Sequence, residues 1–151
     1  MTDFTLRPAH ETESVAIKEL IHSVGINPMD LDWRRFIVAA DARDQIIAIG
    51  QIKPHGSKPD IHELASIAVV PEYRGQGLAR AMIEHLLKNS PRPLYLTCRT
   101  RLEPLYQKFG FRAIPYQEMP RYYQRISKLM GLVKAVARMN EGDGLSVMKL
   151  Q

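Results

Sequence analysis

Residues 73–79, Tyr73-Arg74-Gly75-Gln76-Gly77-Leu78-Ala79, constrain this chain more than any other stretch of it. They join a β-prone run, Ile61 to Val70, to an amphipathic run, Leu78 to Lys88. In the second run Ala79, Met82, Ile83, Leu86 and Leu87 share one helical face. A strand that turns straight into a helix leaves the first helical N–H groups without intrahelical partners, at the positive end of the helix dipole. Glycines at 75 and 77 admit left-handed backbone and let a ligand approach closely. The combination suits a diphosphate, and Arg74 can donate to the same oxygens. A P-loop is excluded, because no Gly-Lys-Ser/Thr follows the first glycine. A dinucleotide fingerprint fits poorly: Arg80 follows where a small third residue belongs, and the turn lies midway along the chain. A turn that merely starts a helix stays open on spacing alone.

The remaining pattern is that of one mixed α/β domain spanning 1–151, a length that suits a single core. Phe4 to Arg7 reads as a short strand stopped by Pro8, and Glu11 to Val24 as a helix with Ile17, Leu20, Ile21 and Val24 inward and Gly25 at its end. Arg35 to Ala40 and Gln45 to Lys53 read as a hairpin through Asp41-Ala42-Arg43-Asp44, and Pro54 to Pro59 as a loop before the strand Ile61 to Val70. Leu94 to Cys98 is the next strand. Thr100-Arg101-Leu102-Glu103 matches a capping box opening a helix to Phe109. Phe111 to Ile114 is a short strand. From Pro120 to Arg138, the spacing of Tyr122, Ile126, Leu129, Met130, Val133, Val136 and Ala137 predicts another helix. A turn over Asn140 to Gly144 and a closing strand, Leu145 to Leu150, complete the order.

Composition narrows the class. The 45% hydrophobic and 25% charged residues are ordinary for a globular protein. No basic n-region with an apolar h-region opens the chain, and no apolar run approaches membrane-spanning length. Cys98 is the only cysteine, so an internal disulfide is impossible; a cytoplasmic, reducing location and a buried, inert thiol are the expectations. The histidines at 10, 22, 55, 62 and 85 show no metal-ligand spacing, and no metal is expected. The net charge of +5 is uneven: residues 1–98 carry 11 Lys+Arg against 12 Asp+Glu (−1), residues 99–151 carry 10 against 4 (+6). The basic C-terminal third attracts anions in general, whether a cosubstrate, an acidic acceptor or nucleic acid. Trp33 and the pair Tyr122-Tyr123 lack the pattern of an RNA-binding sheet, which disfavours the last.

Val70-Pro71-Glu72-Tyr73-Arg74-Gly75-Gln76-Gly77-Leu78-Ala79 resembles the acetyl-CoA signature of the GNAT superfamily of N-acetyltransferases, Arg/Gln-x-x-Gly-x-Gly/Ala, with Arg74, Gly77 and Ala79 in its defining places. The element order is similar to that fold from end to end. The resemblance implies the acyl-CoA N-acyltransferase fold, six to seven strands flanked by helices, with acetyl-CoA as cosubstrate. It further implies that the backbone of Ile67, Ala68 and Val69 bonds the pantetheine arm, while Arg74, Gly75, Gln76, Gly77, Leu78 and Ala79 wrap the diphosphate.

Amine acetylation requires a base for the amine, donors for the tetrahedral oxyanion and an acid for the departing thiolate. Alternation places Glu63 on one strand face with Ala65 and Ile67, an apolar setting, and Glu63 matches the place of the acidic base in several GNAT enzymes. An edge carboxylate in a salt bridge is the competing reading; His62, on the opposite face, is the weaker candidate, and a bridging water also suits the family. Tyr106, in Tyr106-Gln107-Lys108-Phe109-Gly110-Phe111, matches the family's Tyr-x-x-x-Gly-Phe, whose hydroxyl protonates the CoA thiolate; Arg99 stands where many members carry Asn. The Val69 N–H is the expected oxyanion donor. Met119-Pro120 to Lys128 is similar to the tail of N-acetylglutamate synthase acetyltransferase domains, matching at Arg125, Ser127 and Lys128. That similarity implies an acceptor carrying a carboxylate, paired by Arg125 or Lys128, with Tyr122 lining the acceptor pocket. A basic surface helix is the competing reading. The expected partner is a small-molecule amine, the chain acting as monomer or homodimer away from membranes. A protein lysine or N-terminal acceptor, and a non-catalytic acetyl-CoA sensor, stay open.

Overall fold

The computed structural model describes residues 2–55, 58–137 and 144–151, the side chains of 58–60 and 133–137 aside. Among the described residues seven strands and four helices follow one another as β1 (Thr5–Pro8), α1 (Ser14–Val24), β2 (Phe36–Ala40), β3 (Ile46–His55), β4 (Lys58–Val69), α2 (Leu78–Lys88), β5 (Leu94–Arg99), α3 (Glu103–Gln107), β6 (Arg112–Ala113), α4 (Arg121–Ala137) and β7 (Leu145–Leu150). The sheet order is β1-β2-β3-β4-β5-β7-β6. Its β4–β5 pair is parallel, with His62 opposite Leu94 and Glu63 opposite Tyr95. Pairs β1–β2, β2–β3, β5–β7 and β6–β7 are antiparallel, so the sheet is mixed as expected. Among the described residues no helix is long and apolar enough to cross a membrane.

The chain divides into two compact units, Met1–Lys53 with Leu64–Ser90, and Pro54–Glu63 with Pro91–Gln151. In the first, the β2–β3 hairpin is set by Asp41. Its carboxylate accepts from the Arg43 and Gln45 amides, and its N–H donates to the Gln45 carbonyl at 2.9 Å. Asp44 takes the left-handed conformation, at φ 62°, that the tight turn requires. Ile17, Leu20 and Ile21 of α1 pack on Ala9, Phe36, Val38, Ile49 and Ala68. Leu78, Met82, Ile83 and Leu86 of α2 are buried as well. Each large apolar side chain removed from water contributes about 1.5–3 kcal/mol. Ile49 and Gly50 are neighbours on β3 and face opposite ways. Ile49 joins the α1 cluster, whereas a Cβ on Gly50 would meet Ile67, Met82 and Leu86. The sheet of this unit is therefore filled from both faces.

In the second unit β7 pairs β5 from Leu94↔Leu150 to Arg99↔Leu145. Tyr95, Ile114, Tyr123 and Val147 form its core cluster, with Ile61, Met119 and Tyr122 packed against it. Helix α4 runs where the periodicity predicts, but its inward residue is Tyr123, which is fully buried, whereas Leu129 is 61% exposed. The tyrosine pair at the start of the helix sets its rotation, because Tyr123 is the side chain that inserts between Tyr95 and Val147. The expected turn from Asn140, and the side chains of Val133, Val136 and Ala137, lie outside the described residues. Strands β3 and β4 extend into the stretch read as a loop, since proline is tolerated in strands where the ladder needs no N–H.

Gly50→Ala tests the packing between β3 and α2. Its Cβ would lie 2.7 Å from Ile67 Cδ1, 2.8 Å from Met82 Cγ and 2.9 Å from Leu86 Cδ1. Three simultaneous overlaps should destabilise the protein by about 1–3 kcal/mol, read from urea unfolding. Wild-type stability would show that this layer is looser than described.

Candidate active site

In the first unit the strand-to-helix turn has the form that an anion cradle needs. Val70 N–H donates to the Ile47 carbonyl at 2.9 Å, which anchors the end of β4. A single 3-10 turn, Pro71–Tyr73, follows. Gly75 and Gly77 then take φ of 79° and 81°, and a Cβ at either would meet nothing within 4 Å. Steric space is thus open at both, and it is the left-handed backbone that calls for glycine. Gly77 is the N-cap of α2 and supplies no side-chain cap. The first helical bond runs from Ala81 N–H to the Gly77 carbonyl, so the amides of Leu78, Ala79 and Arg80 have no intrahelical acceptor. Gln76 is turned away, its Oε1 accepting from the Thr2 N–H at 3.0 Å. Arg74 is exposed, and among the described residues it bonds only the Val69 carbonyl, at 3.4 Å, so its guanidinium can meet phosphate oxygens.

Just upstream, β4 carries a backbone feature that the residue pattern conceals. Ser66 takes φ 59°, a left-handed conformation in mid-strand. Such a residue costs on the order of 1–3 kcal/mol and persists only where its surroundings hold it. Here Gln51 Nε2 donates to Ser66 Oγ at 2.8 Å. The break also corrects the expected alternation. Ile67 packs on the Gly50 and Met82 side while Ala68 joins the α1 cluster, so the face shared by Glu63 and Ala65 does not continue to Ile67.

In the second unit Glu63 is buried and its Oε1 lies 2.6 Å from His55 Nε2. Thr97 Oγ1 donates more weakly to Oε2, at 3.4 Å. The imidazole is stacked on Tyr122 with centroids 4.0 Å apart, and Tyr123 meets it edge-on at 5.9 Å. His55 escaped the sequence reading because nothing local marks it: it follows a proline, and its partner lies eight residues away on β4. The setting of Glu63 is thus aromatic and polar at once. The Tyr123 phenol is fully buried with no hydrogen-bond partner among the described residues. Burial, then the nearby Glu63 charge, pushes its pKa far above the ordinary phenol value. His62, the weaker candidate base, is half-buried, and its Nδ1 also lacks a partner among the described residues.

Tyr106 lies on α3, half-buried, with Phe111 edge-on at 6.2 Å. Its pKa is raised, first by burial and then by Cys98, so the phenol keeps its proton through neutral pH. The expected capping box is not formed. Thr100 to Leu102 make a 3-10 turn, α3 starts only at Glu103, and Ser146 Oγ of β7 donates to Glu103 Oε1 and lies 3.1 Å from Thr100 Oγ1. A hydroxyl presented by the neighbouring strand has displaced the local pairing. Tyr122 belongs to the His55 stack, whereas Arg125 and Lys128 of α4 are exposed, Lys128 Nζ lying 5.5 Å from the centre of the Tyr116 ring. Arg99 is exposed at the end of β5. No cluster of His, Cys, Asp and Glu able to hold a metal occurs among the described residues.

Cys98 is buried against Met148, and burial, with Glu103 adding to it, pushes the thiol up to about 11. The thiolate is the reactive form, so the native protein should show almost no titratable thiol with a disulfide reagent at pH 7.5 and one equivalent after denaturation. Rapid native labelling would show that Cys98 is accessible and activated.

A family model described as an acetyltransferase (GNAT) domain matches residues 32–113, more than half of the 151-residue chain. No curated protein matches in sequence. Among solved structures, the fold is similar to Neisseria gonorrhoeae N-acetylglutamate synthase complexed with coenzyme A and L-arginine, with a TM-score of 0.73 and 12% identity. That match covers 100% of this chain and 34% of the synthase, so the chain spans about a third of that enzyme. Mycobacterium tuberculosis Rv2747, in complex with CoA and NLQ, gives a TM-score of 0.68 at 21% identity over 97% of this chain and 98% of that one. Escherichia coli ElaA gives 0.68 at 16% identity with full coverage of both chains. Matched by the family model through its strand-turn-helix and carrying the acyl-CoA N-acyltransferase fold, the chain belongs to the GNAT acetyltransferase family.

Proposed function

We propose that residues 1–151 form one acetyltransferase domain that passes the acetyl group of acetyl-CoA directly to the primary amine of a small, carboxylate-bearing acceptor, an amino acid or a close relative. The observation that carries the reading is the buried Glu63–His55 pair, a carboxylate held in a fixed orientation in an aromatic setting. A base must keep its geometry through the reaction, and an imidazole stacked on Tyr122 is a rigid support. The diphosphate is assigned to the bare amides at the start of α2 with Arg74, and the pantetheine arm to the backbone of Ile67, Ala68 and Val69. Glu63 takes the proton from the acceptor ammonium. The free amine attacks the thioester carbonyl, a C–N bond forms, and the oxyanion is received by the Val69 N–H. The C–S bond then breaks, and the Tyr106 hydroxyl donates its proton to the thiolate, a role helped by a phenol that burial keeps protonated.

The amino-acid class is supported by the ligands of structural neighbours: one Neisseria synthase structure is complexed with coenzyme A and N-acetyl-glutamate. Arg125 and Lys128 remain proposed contacts at the acceptor side, together with Tyr122. A cytoplasmic location suits a chain whose single thiol is reduced.

Initial rates of free-thiol release, with acetyl-CoA and an amine panel varied together, should give intersecting double-reciprocal lines. Parallel lines would overturn direct transfer. Tyr106→Phe should lower kcat about 10²-fold or more with coenzyme A affinity unchanged, and its removal should abolish any alkaline limb found above pH 10. Glu63→Gln should lower kcat/KM by about 10²–10⁴ at neutral pH. A variant that keeps the wild-type kcat/KM would assign the base elsewhere.

A further inference from the structure

The first unit holds a buried lysine with no ion pair among the described residues. Lys53 is 7% exposed, and its Nζ donates to one acceptor, the Met29 carbonyl, at 2.8 Å. An ammonium has three donors, so two find no acceptor among the described residues. Two positions back on β3, Gln51 is fully buried, and its Oε1 has no partner among the described residues while Nε2 donates to Ser66 Oγ. The Ser66 hydroxyl can serve either arm of the amide, and whichever it serves, the other arm is left over. A buried charge without a counter-charge and a buried amide with an idle arm are each costly, and successive same-face positions on one strand bring them side by side. Polar groups left idle in this way are characteristic of a site whose partner is a ligand.

We propose that Lys53 and Gln51 form the subsite for the acceptor's carboxylate, Lys53 meeting its oxygens and the free arm of Gln51 an adjacent polar group of the same molecule. This deepens the reading of the chain as a transferase acting on carboxylate-bearing amines and rests on it. A cation already taken out of water binds a carboxylate far more strongly than one on the surface, which stays hydrated and screened. On that ground Lys53 outranks the exposed Arg125 and Lys128 as the anchor of acceptor charge. The other anion within reach of a lysine in this chemistry is a phosphate of the cosubstrate, and the test separates the two.

Wild type and Lys53→Met, with matched side-chain length, are titrated calorimetrically with the common amino acids and their carboxamides in the presence of coenzyme A, and separately with coenzyme A and dephospho-coenzyme A. Wild type should bind the carboxylate form of its preferred amino acid about ten- to a hundredfold more tightly than the amide, and Lys53→Met should bind both alike. Coenzyme A affinity should be the same in both proteins. Equal binding of acid and amide to wild type, or binding of neither, overturns the proposal. So does a Lys53→Met effect confined to coenzyme A and absent with its dephospho form. Where Lys53→Met melts too low for use, Lys53→Arg keeps the cation and should keep the preference. A protein that binds the acid selectively yet acetylates no amine would retain the subsite and refute the transfer reading, so the two fail separately.

Discussion

Strand β3 begins as an ordinary core strand and ends as a polar one, and the cost of burying its polar side chains organises the site. Gln51, Lys53 and His55 occupy alternate positions and are each less than a tenth exposed. A buried polar group must find a partner or lose about 1–3 kcal/mol. Each of these three recruits one from a different segment: Gln51 takes Ser66, Lys53 takes the carbonyl of Met29, and His55 takes Glu63. The strained backbone of Ser66, the placement of the loop after α1 and the orientation of the candidate base are tied to these bonds. Apolar residues at the same positions would relieve that cost and remove these bonds.

Two kinds of electrostatics operate in the chain. The cradle at the start of α2 uses backbone dipoles and an exposed arginine, groups that carry little penalty when empty because water reaches them. The Glu63–His55 pair is buried, as are Lys53 and Gln51, and interactions made there are stronger for the same reason that they are expensive. A diphosphate is bulky and hydrated and suits the first kind. Proton removal and recognition of a small acceptor demand fixed geometry and suit the second.

The glycine turn was legible because its signal is local: Gly75 and Gly77 are needed for their φ values whatever surrounds them, and the bare amides follow from a helix beginning there. The same holds for the Asp41 hairpin and for Tyr106 on its short helix, where neighbours in sequence carry the information. Legibility failed where a distant partner decides. Thr100 and Glu103 have the spacing of a capping box, yet Ser146, more than forty residues away, engages both. His55 and Lys53 look like unremarkable polar residues beside a proline until their burial is known.

Sequence alone determined the class of the domain and the form of its glycine turn, since these depend on torsional freedom and helix ends, properties of a few consecutive residues. Tertiary structure decided which carboxylate has a support, which lysine is dry and where β4 leaves its alternation. Those outcomes depend on desolvation and on contacts between segments far apart in the chain, and neither quantity is written in any short run of residues.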